Sequence, residues 1–305
     1  MAAVLAVALC LGVMDWITTP QPSVVAQPIV EGVRWPETSL PVAVGLGELP
    51  PEWQAEVRAA LKVWNDGGSR FWFVETLDYP GLNSVLLRPV DRVPTCGAQF
   101  QPAACTYPYV YQFAPWFISH AVIQLDRDRV GRDQPRRPLD VVDRPALFTH
   151  ELGHALGLGE AASPTAAMFP AALWSALGAD DVRELRAMYG TIDGARPERG
   201  PGGLSPADGM AAPTRPVLRW EPVPRATSYY LQLEDASVYA QNAGGFIDVS
   251  FGEYIVDTTT ESAELALPFA LPAGGEYYWR VKTNTPGGNS PWSAAARFVV
   301  ASAAP

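Results

Sequence analysis

The stretch His150-Glu151-Leu152-Gly153-His154-Ala155-Leu156-Gly157-Leu158-Gly159-Glu160 decides how this chain is read. Just before it, Asp143 can cap a helix and Pro145 fits a first turn, and the apolar run stops at Gly157. Residues four apart stand one above the other on a helix, so His150 and His154 present two imidazole nitrogens to one ion. Glu151 lies beside them, over the open coordination position. Zinc with three protein ligands keeps a place for water, brings its pKa toward neutrality and polarises a carbonyl, while a neighbouring carboxylate moves the proton. A pattern with three fixed positions arises by chance in about one protein in a hundred, so context has to decide. The chain has only three histidines, His120, His150 and His154, and two of them fall at metal spacing. Gly157, seven positions after His150, is free to take a positive φ and lets the backbone leave the helix and return.

Working outward, LPVAVGL at 40–46 reads as a strand, followed by a helix in PPEWQAEVRAALKVWND. In that helix Trp53, Val57, Ala60, Leu61 and Trp64 recur at spacings of three and four. The runs FWFVE (71–75), SVLLRPV (84–90) and HAVIQLD (120–126) read as strands of one sheet. A last helix runs from Asp180 to Tyr189 and is closed by Gly190.

Several of these ordered segments resemble the metzincin metalloproteases, and within them the matrixin-like group, whose motif is HExxHxxGxxH followed by a Met-turn. HELGHALGLGE carries the first part, and SPTAAMFP at 163–170 looks like the Met-turn, with Met168 beneath the metal. LGADDVRELRAMYG at 177–190 is similar to the family's closing helix, and RWPETSLPVAVG to its opening strand. The resemblance spans about residues 34 to 190. It implies an α+β metzincin-like catalytic domain, a mixed twisted sheet with helices, and a zinc endopeptidase with Glu151 as general base. The departure is at Glu160, where the family has its third histidine. A carboxylate is a legitimate zinc ligand, so His150, His154 and Glu160 can complete the set. A carboxylate ligand lowers the net charge on the metal and predicts a more alkaline pH optimum than three histidines. The competing reading has Glu160 solvated and the metal held weakly by two histidines. His120 precedes a strand and reads as an ordinary strand-edge histidine. Asp126, Asp128 and Asp133 are a weak calcium candidate, because arginines are interleaved among them. The run HAVIQLD is a candidate sheet edge for an extended substrate.

The 305 residues, 48% of them hydrophobic and 18% charged, suit about two domains at roughly 150 residues each. A net charge of −10 has the wrong sign for gripping a phosphate backbone, which argues against nucleic acid as a partner. Residues 1–26 hold an apolar run, Ala2 to Met14, too short to span a bilayer and suited to a signal peptide cleaved near Ala26. Lipid modification at Cys10 is disfavoured by the bulky Leu9. In an exported chain Cys96 and Cys105, nine positions apart, are expected to form a local disulfide. There is no room between Ala26 and the opening strand for the cysteine-bearing propeptide that blocks many matrixins.

These readings give a peptidase domain over 27–190 and a Pro/Gly-rich linker over 191–212. The segment 213–305 is strands alone, in PVLRWEP, SYYLQLED, EYIVDT, AELALP, YYWRVKT and ARFVVA. It resembles a fibronectin type III domain, an all-β immunoglobulin-like sandwich, with Trp220, Tyr277 and GGNSPWS at the expected places. Its expected role is a spacer, or a module docking on an extracellular protein or glycan. Two functions follow. The first is a secreted, monomeric zinc endopeptidase acting on extracellular proteins. The second is an impaired metzincin-like protein that binds surfaces through its fibronectin type III-like domain.

Overall fold

The computed structural model describes residues 32–76, 83–94, 102–111, 114–131, 143–172, 174–241 and 254–302, a mixed α/β chain with several sheets and few helices. The expected signal segment, Cys96 and Asp133 lie outside these residues. No helix among the described residues is long and apolar enough to cross a membrane.

The N-terminal half is built on five strands: β1 (Val42–Gly45), β2 (Phe73–Thr76), β3 (Ser84–Val90), β4 (Ala104–Tyr111) and β5 (Ala114–Asp126). Their order is β2-β1-β3-β5-β4, with all neighbours parallel except β4, which runs antiparallel along β5. Helix α1 (Pro51–Asn65) buries Trp53, Val57, Ala60, Leu61 and Trp64, the five positions its periodicity marks. A single turn, α2 (Arg127–Val130), follows β5. Helix α3 (Arg144–Leu156) carries the histidines, and α4 (Ala179–Tyr189) closes this half. Helices α1 and α3 share a core with the sheet, and Trp53 and Phe148 lie 6.3 Å apart. Fully burying a side chain such as Phe148 stabilises by roughly 1.5–3 kcal/mol.

One expectation is corrected here. HAVIQLD is not a sheet edge, because β5 pairs with β3 on one side and β4 on the other. The edge beside α3 is β4, a strand the sequence reading did not assign, and Pro108 sits in its middle. Proline removes a ladder donor, and an edge strand is where a sheet tolerates that.

The C-terminal half forms a larger sheet in the order β6-β13-β11-β8-β9, with β12 beside β11, and a smaller β10-β7 pair. These strands are β6 (Met210–Ala212), β7 (Val217–Arg219), β8 (Ser228–Asp235), β9 (Val256–Thr260), β10 (Glu264–Ala266), β11 (Glu276–Thr285), β12 (Gly288–Asn289) and β13 (Ala296–Val300). A short α5 (Ala236–Gln241) follows β8. Both sheets bury residues in one core around Trp220 and Trp279, whose rings are 6.1 Å apart. Tyr277, Trp279 and Val281 face inward, as the alternation predicts.

Residues 191–212 make specific contacts with both halves. Thr191 bridges to Ser69, Ser205 to Arg219, and Met210–Ala212 pairs with β13, so the C-terminal sheet begins before position 213. Arg196 donates to the carbonyls of Asn65 (2.6 Å), Ser69 (2.6 Å) and Phe71 (3.2 Å). Composition marks the stretch as poor in apolar side chains, but buried backbone carbonyls still need donors, and this arginine supplies them.

The exit from α3 depends on Gly157. It sits at φ 97°, and a Cβ there would meet the Val33 carbonyl oxygen at 2.1 Å. Gly157→Ala is therefore expected to destabilise the chain by at least about 1 kcal/mol in urea unfolding. An unchanged midpoint would contradict this account of the turn.

Candidate metal centre

Helix α3 starts at Asp143, whose carboxylate accepts from the Ala146 N–H at 3.2 Å. It places His150 and His154 one turn apart, both buried, with their Nε2 atoms 3.0 Å from each other. Each Nδ1 faces a backbone carbonyl, Ala167 O for His150 and Leu158 O for His154, at 2.9 Å in both cases. A carbonyl only accepts, so each Nδ1 carries its proton and each Nε2 offers a lone pair. After the Gly157 turn the chain brings Glu160 back, with Oε1 3.7 Å from His150 Nε2 and 3.6 Å from His154 Nε2. Donor atoms on one tetrahedral zinc, at about 2.0–2.1 Å from it, stand roughly 3.3 Å apart, so this set fits a single small ion. His150, His154 and Glu160 form a group that can bind a metal ion, and it is the one such group among the described residues.

The electrostatics agree with a cation at this point. Burial pulls the His150 pKa down, but the Glu160 and Glu151 carboxylates and the Ala167 carbonyl outweigh it, and the net direction is upward. Burial pushes Glu160 the other way from its partners, yet the two imidazoles prevail and hold its carboxyl at about 2. Glu160 is half exposed, so the site opens to solvent on that side.

Glu151 is 6% exposed and held from the edge strand. Thr106 on β4 approaches its Oε2 at 2.6 Å and its backbone oxygen at 3.0 Å. One hydroxyl proton serves both, and the shorter contact takes most of it, which leaves Oε1 as the freer carboxylate oxygen.

Met168 is buried against the helix at Gly153, where a Cβ would meet its sulfur at 2.1 Å and Trp64 at 2.7 Å. The HExGH spacing thus carries a packing message as well as a ligand one, since only glycine lets Met168 come this close. The turn holding Met168 is fixed by Asp181, whose carboxylate accepts from Ala167 N (2.7 Å), Met168 N (3.1 Å) and Gly178 N (2.7 Å). Ala167 is also the carbonyl that orients His150. The sequence reading missed Thr106 and Asp181. Nothing local marks Thr106, whereas a carboxylate in the first turn of α4, two residues after its start, was a readable signal.

Other expected residues fall elsewhere. His120 lies across from Tyr109, its ring stacked on the phenol at 4.3 Å, with Ser119 Oγ 3.1 Å from its Nδ1. It is not brought to the metal group. Asp126 is buried and caps α2, accepting from Arg129 N at 2.9 Å, and Asp128 is exposed. Neither joins a metal group among the described residues. Cys105 lies buried in β4, not in a loop, and its expected partner Cys96 is outside the described residues.

No family model matches the chain, and no curated protein matches it. Among solved structures, the fn3 domain of human collagen alpha-1(XX) chain is 19% identical, covering 37% of this chain and 94% of that one at a TM-score of 0.27. The alpha-L-rhamnosidase from Dictyoglumus thermophilum is 15% identical, covering 36% of this chain and 13% of that one, also at 0.27. The twitchin kinase region from C. elegans is 14% identical over 35% of this chain and 17% of that one, at 0.24. At these TM-scores the likenesses carry no argument.

Two outcomes are expected. Calorimetric titration of metal-free chain should find one equivalent of a divalent transition ion, and His150→Ala should abolish that binding. The second concerns His120, whose pKa burial pushes down to about 4. The unfolded chain takes up a proton near pH 6.5 and the folded one near 4, so His120 costs nothing above 6.5 and destabilises progressively as pH falls to 4. The full effect is on the order of 3 kcal/mol. His120→Gln should remove that part of the acid limb in urea titrations, and parallel curves for both proteins would refute the assignment.

Proposed function

We propose that the chain is an exported zinc endopeptidase of the matrixin-like metzincin type, with a fibronectin type III-like C-terminal part. The observation that carries this reading is the convergence of His150 Nε2, His154 Nε2 and Glu160 Oε1 beside a fixed Glu151 carboxylate. The left-handed exit at Gly157 and the packing of Met168 on Gly153 support it.

Zinc in this group supplies a Lewis acid that acidifies water and polarises a peptide carbonyl. The two Nδ1–H···O=C hydrogen bonds favour the ligating tautomer of both imidazoles and hold their orientation for a metal. Glu151 takes a proton from water through Oε1, because Oε2 is occupied by Thr106, and passes it to the departing amine. Thr106 acts as a positioning residue in this step, since it touches the base and not the substrate. Among the described residues β4 ends the sheet, and its outer edge is the place for an extended peptide to add as a strand, in place of the run the sequence suggested. With Glu160 as third ligand the working pH lies on the alkaline side.

The test is hydrolysis of a pool of quenched peptides and a denatured protein by the zinc-loaded chain, with Glu151→Gln prepared identically. Cleavage is expected to fall by at least about a thousandfold in Glu151→Gln and to stop with a chelator. Thr106→Val should lower kcat about tenfold with little change in KM, and Thr106→Ser should restore it. If zinc binds but neither protein cuts from mildly acid to alkaline pH, the catalytic reading is wrong and the surface-binding reading replaces it.

A further inference from the structure

The two halves of the chain meet on a surface whose polar contacts lead back to the metal-bearing helix. Lys282 lies on the face of β11 opposite the sandwich core, where alternation alone would leave it in water, yet it is 2% exposed. A buried ammonium without acceptors costs several kcal/mol. Here Nζ donates to the carbonyls of Thr38 and Leu40, the latter at 3.0 Å, and lies 4.5 Å from the centre of the Trp292 ring. Asn289 Nδ2 donates to the Glu37 carbonyl at 2.7 Å. Three carbonyls of one short segment are therefore taken by the C-terminal half. A second arm joins Trp72 Nε1 to Asn289 O (3.0 Å) and Arg70 to both Glu37 Oε1 (2.7 Å) and Asn284 Oδ1 (2.5 Å).

The same segment reaches α3 from its other end. Trp35, two residues before Glu37, is 1% exposed and its Nε1 donates to Ala155 O at 2.8 Å, one residue after His154. Its N–H donates to Tyr189 Oη (3.1 Å), which in turn donates to Leu156 O (2.6 Å). Val33 O closes the approach to Gly157. Residues 33–40 thus run from the end of the metal helix to the buried ammonium.

We propose that the C-terminal half is a built-in partner of the metal-binding half, docked through Lys282 so that residues 33–40 are held against the end of α3 and the affinity for metal depends on the docking. A module tethered only to bind something else has no need to bury a lysine against its neighbour's carbonyls. This goes beyond the peptidase reading and does not require it, since a chain that binds zinc without cutting can still be held this way.

The experiment uses the full chain, its Lys282→Met variant, and Arg219→Gln as a control at an exposed ion pair on the same half. Calorimetry of the metal-free proteins is combined with zinc competition titration. The wild type is expected to unfold in one transition, and Lys282→Met to weaken zinc binding by about threefold to tenfold, below the loss typical of direct ligand partners. Arg219→Gln should leave zinc affinity unchanged. If Lys282→Met does not fold, Asn289→Ala, which removes only the contact to Glu37, should still weaken zinc binding measurably. Two independent transitions in the wild type, or unchanged zinc affinity in a folded Lys282→Met or Asn289→Ala, would overturn the proposal. Both readouts are separate from peptide cleavage, so its failure is distinguishable from failure of the peptidase reading.

Discussion

Two imidazole nitrogens held 3.0 Å apart beside the Glu160 carboxylate are the constraint on which the N-terminal half is organised. Both Nδ1 atoms face backbone carbonyls, which fixes the orientation of the two rings. A proton or a metal ion shared by the two nitrogens makes this approach favourable, and together with the Glu160 carboxylate they form a group that can bind a metal ion. The carbonyls that lock the rings belong to Ala167 and Leu158, so the loops on either side of Glu160 are part of the ligand geometry. Asp181 fixes the first of these loops and Gly157 starts the second.

The legible part of this design is the part that local chemistry dictates. The start and stop of α3 follow from Asp143, Pro145 and Gly157, and the buried face of α1 follows from its spacing. Ligand spacing is equally local, whereas the packing role of Met168 is what the family resemblance implies. What sequence alone concealed is non-local. Strand β4 contains Pro108, and its place at the sheet edge explains why that residue is tolerated. Thr106 is an unremarkable residue until β4 is laid against α3. Lys282 alternates outward in β11 and reads as solvated, yet a whole second surface buries it. The Gly/Pro composition of 191–212 reads as a spacer because composition counts apolar side chains and not the backbone carbonyls that Arg196 serves.

The C-terminal half has a core of its own, centred on Trp220 and Trp279, and so does not need the first half to bury apolar area. The junction is polar instead, made of an ammonium, a guanidinium and amides on main-chain oxygens. Such contacts contribute little through area and much through orientation, because each N–H must point nearly straight at its acceptor. This geometry suits a connection that sets where residues 33–40 lie against the metal helix.

The central claim is that Glu160 serves as the third ligand beside His150 and His154. X-ray absorption at the zinc edge of the stoichiometrically loaded chain tests it most directly. The account predicts two imidazole nitrogens and a carboxylate oxygen at about 2.0–2.2 Å, with the carboxylate contribution lost and the affinity reduced in Glu160→Ala. An identical spectrum and affinity in Glu160→Ala would contradict it.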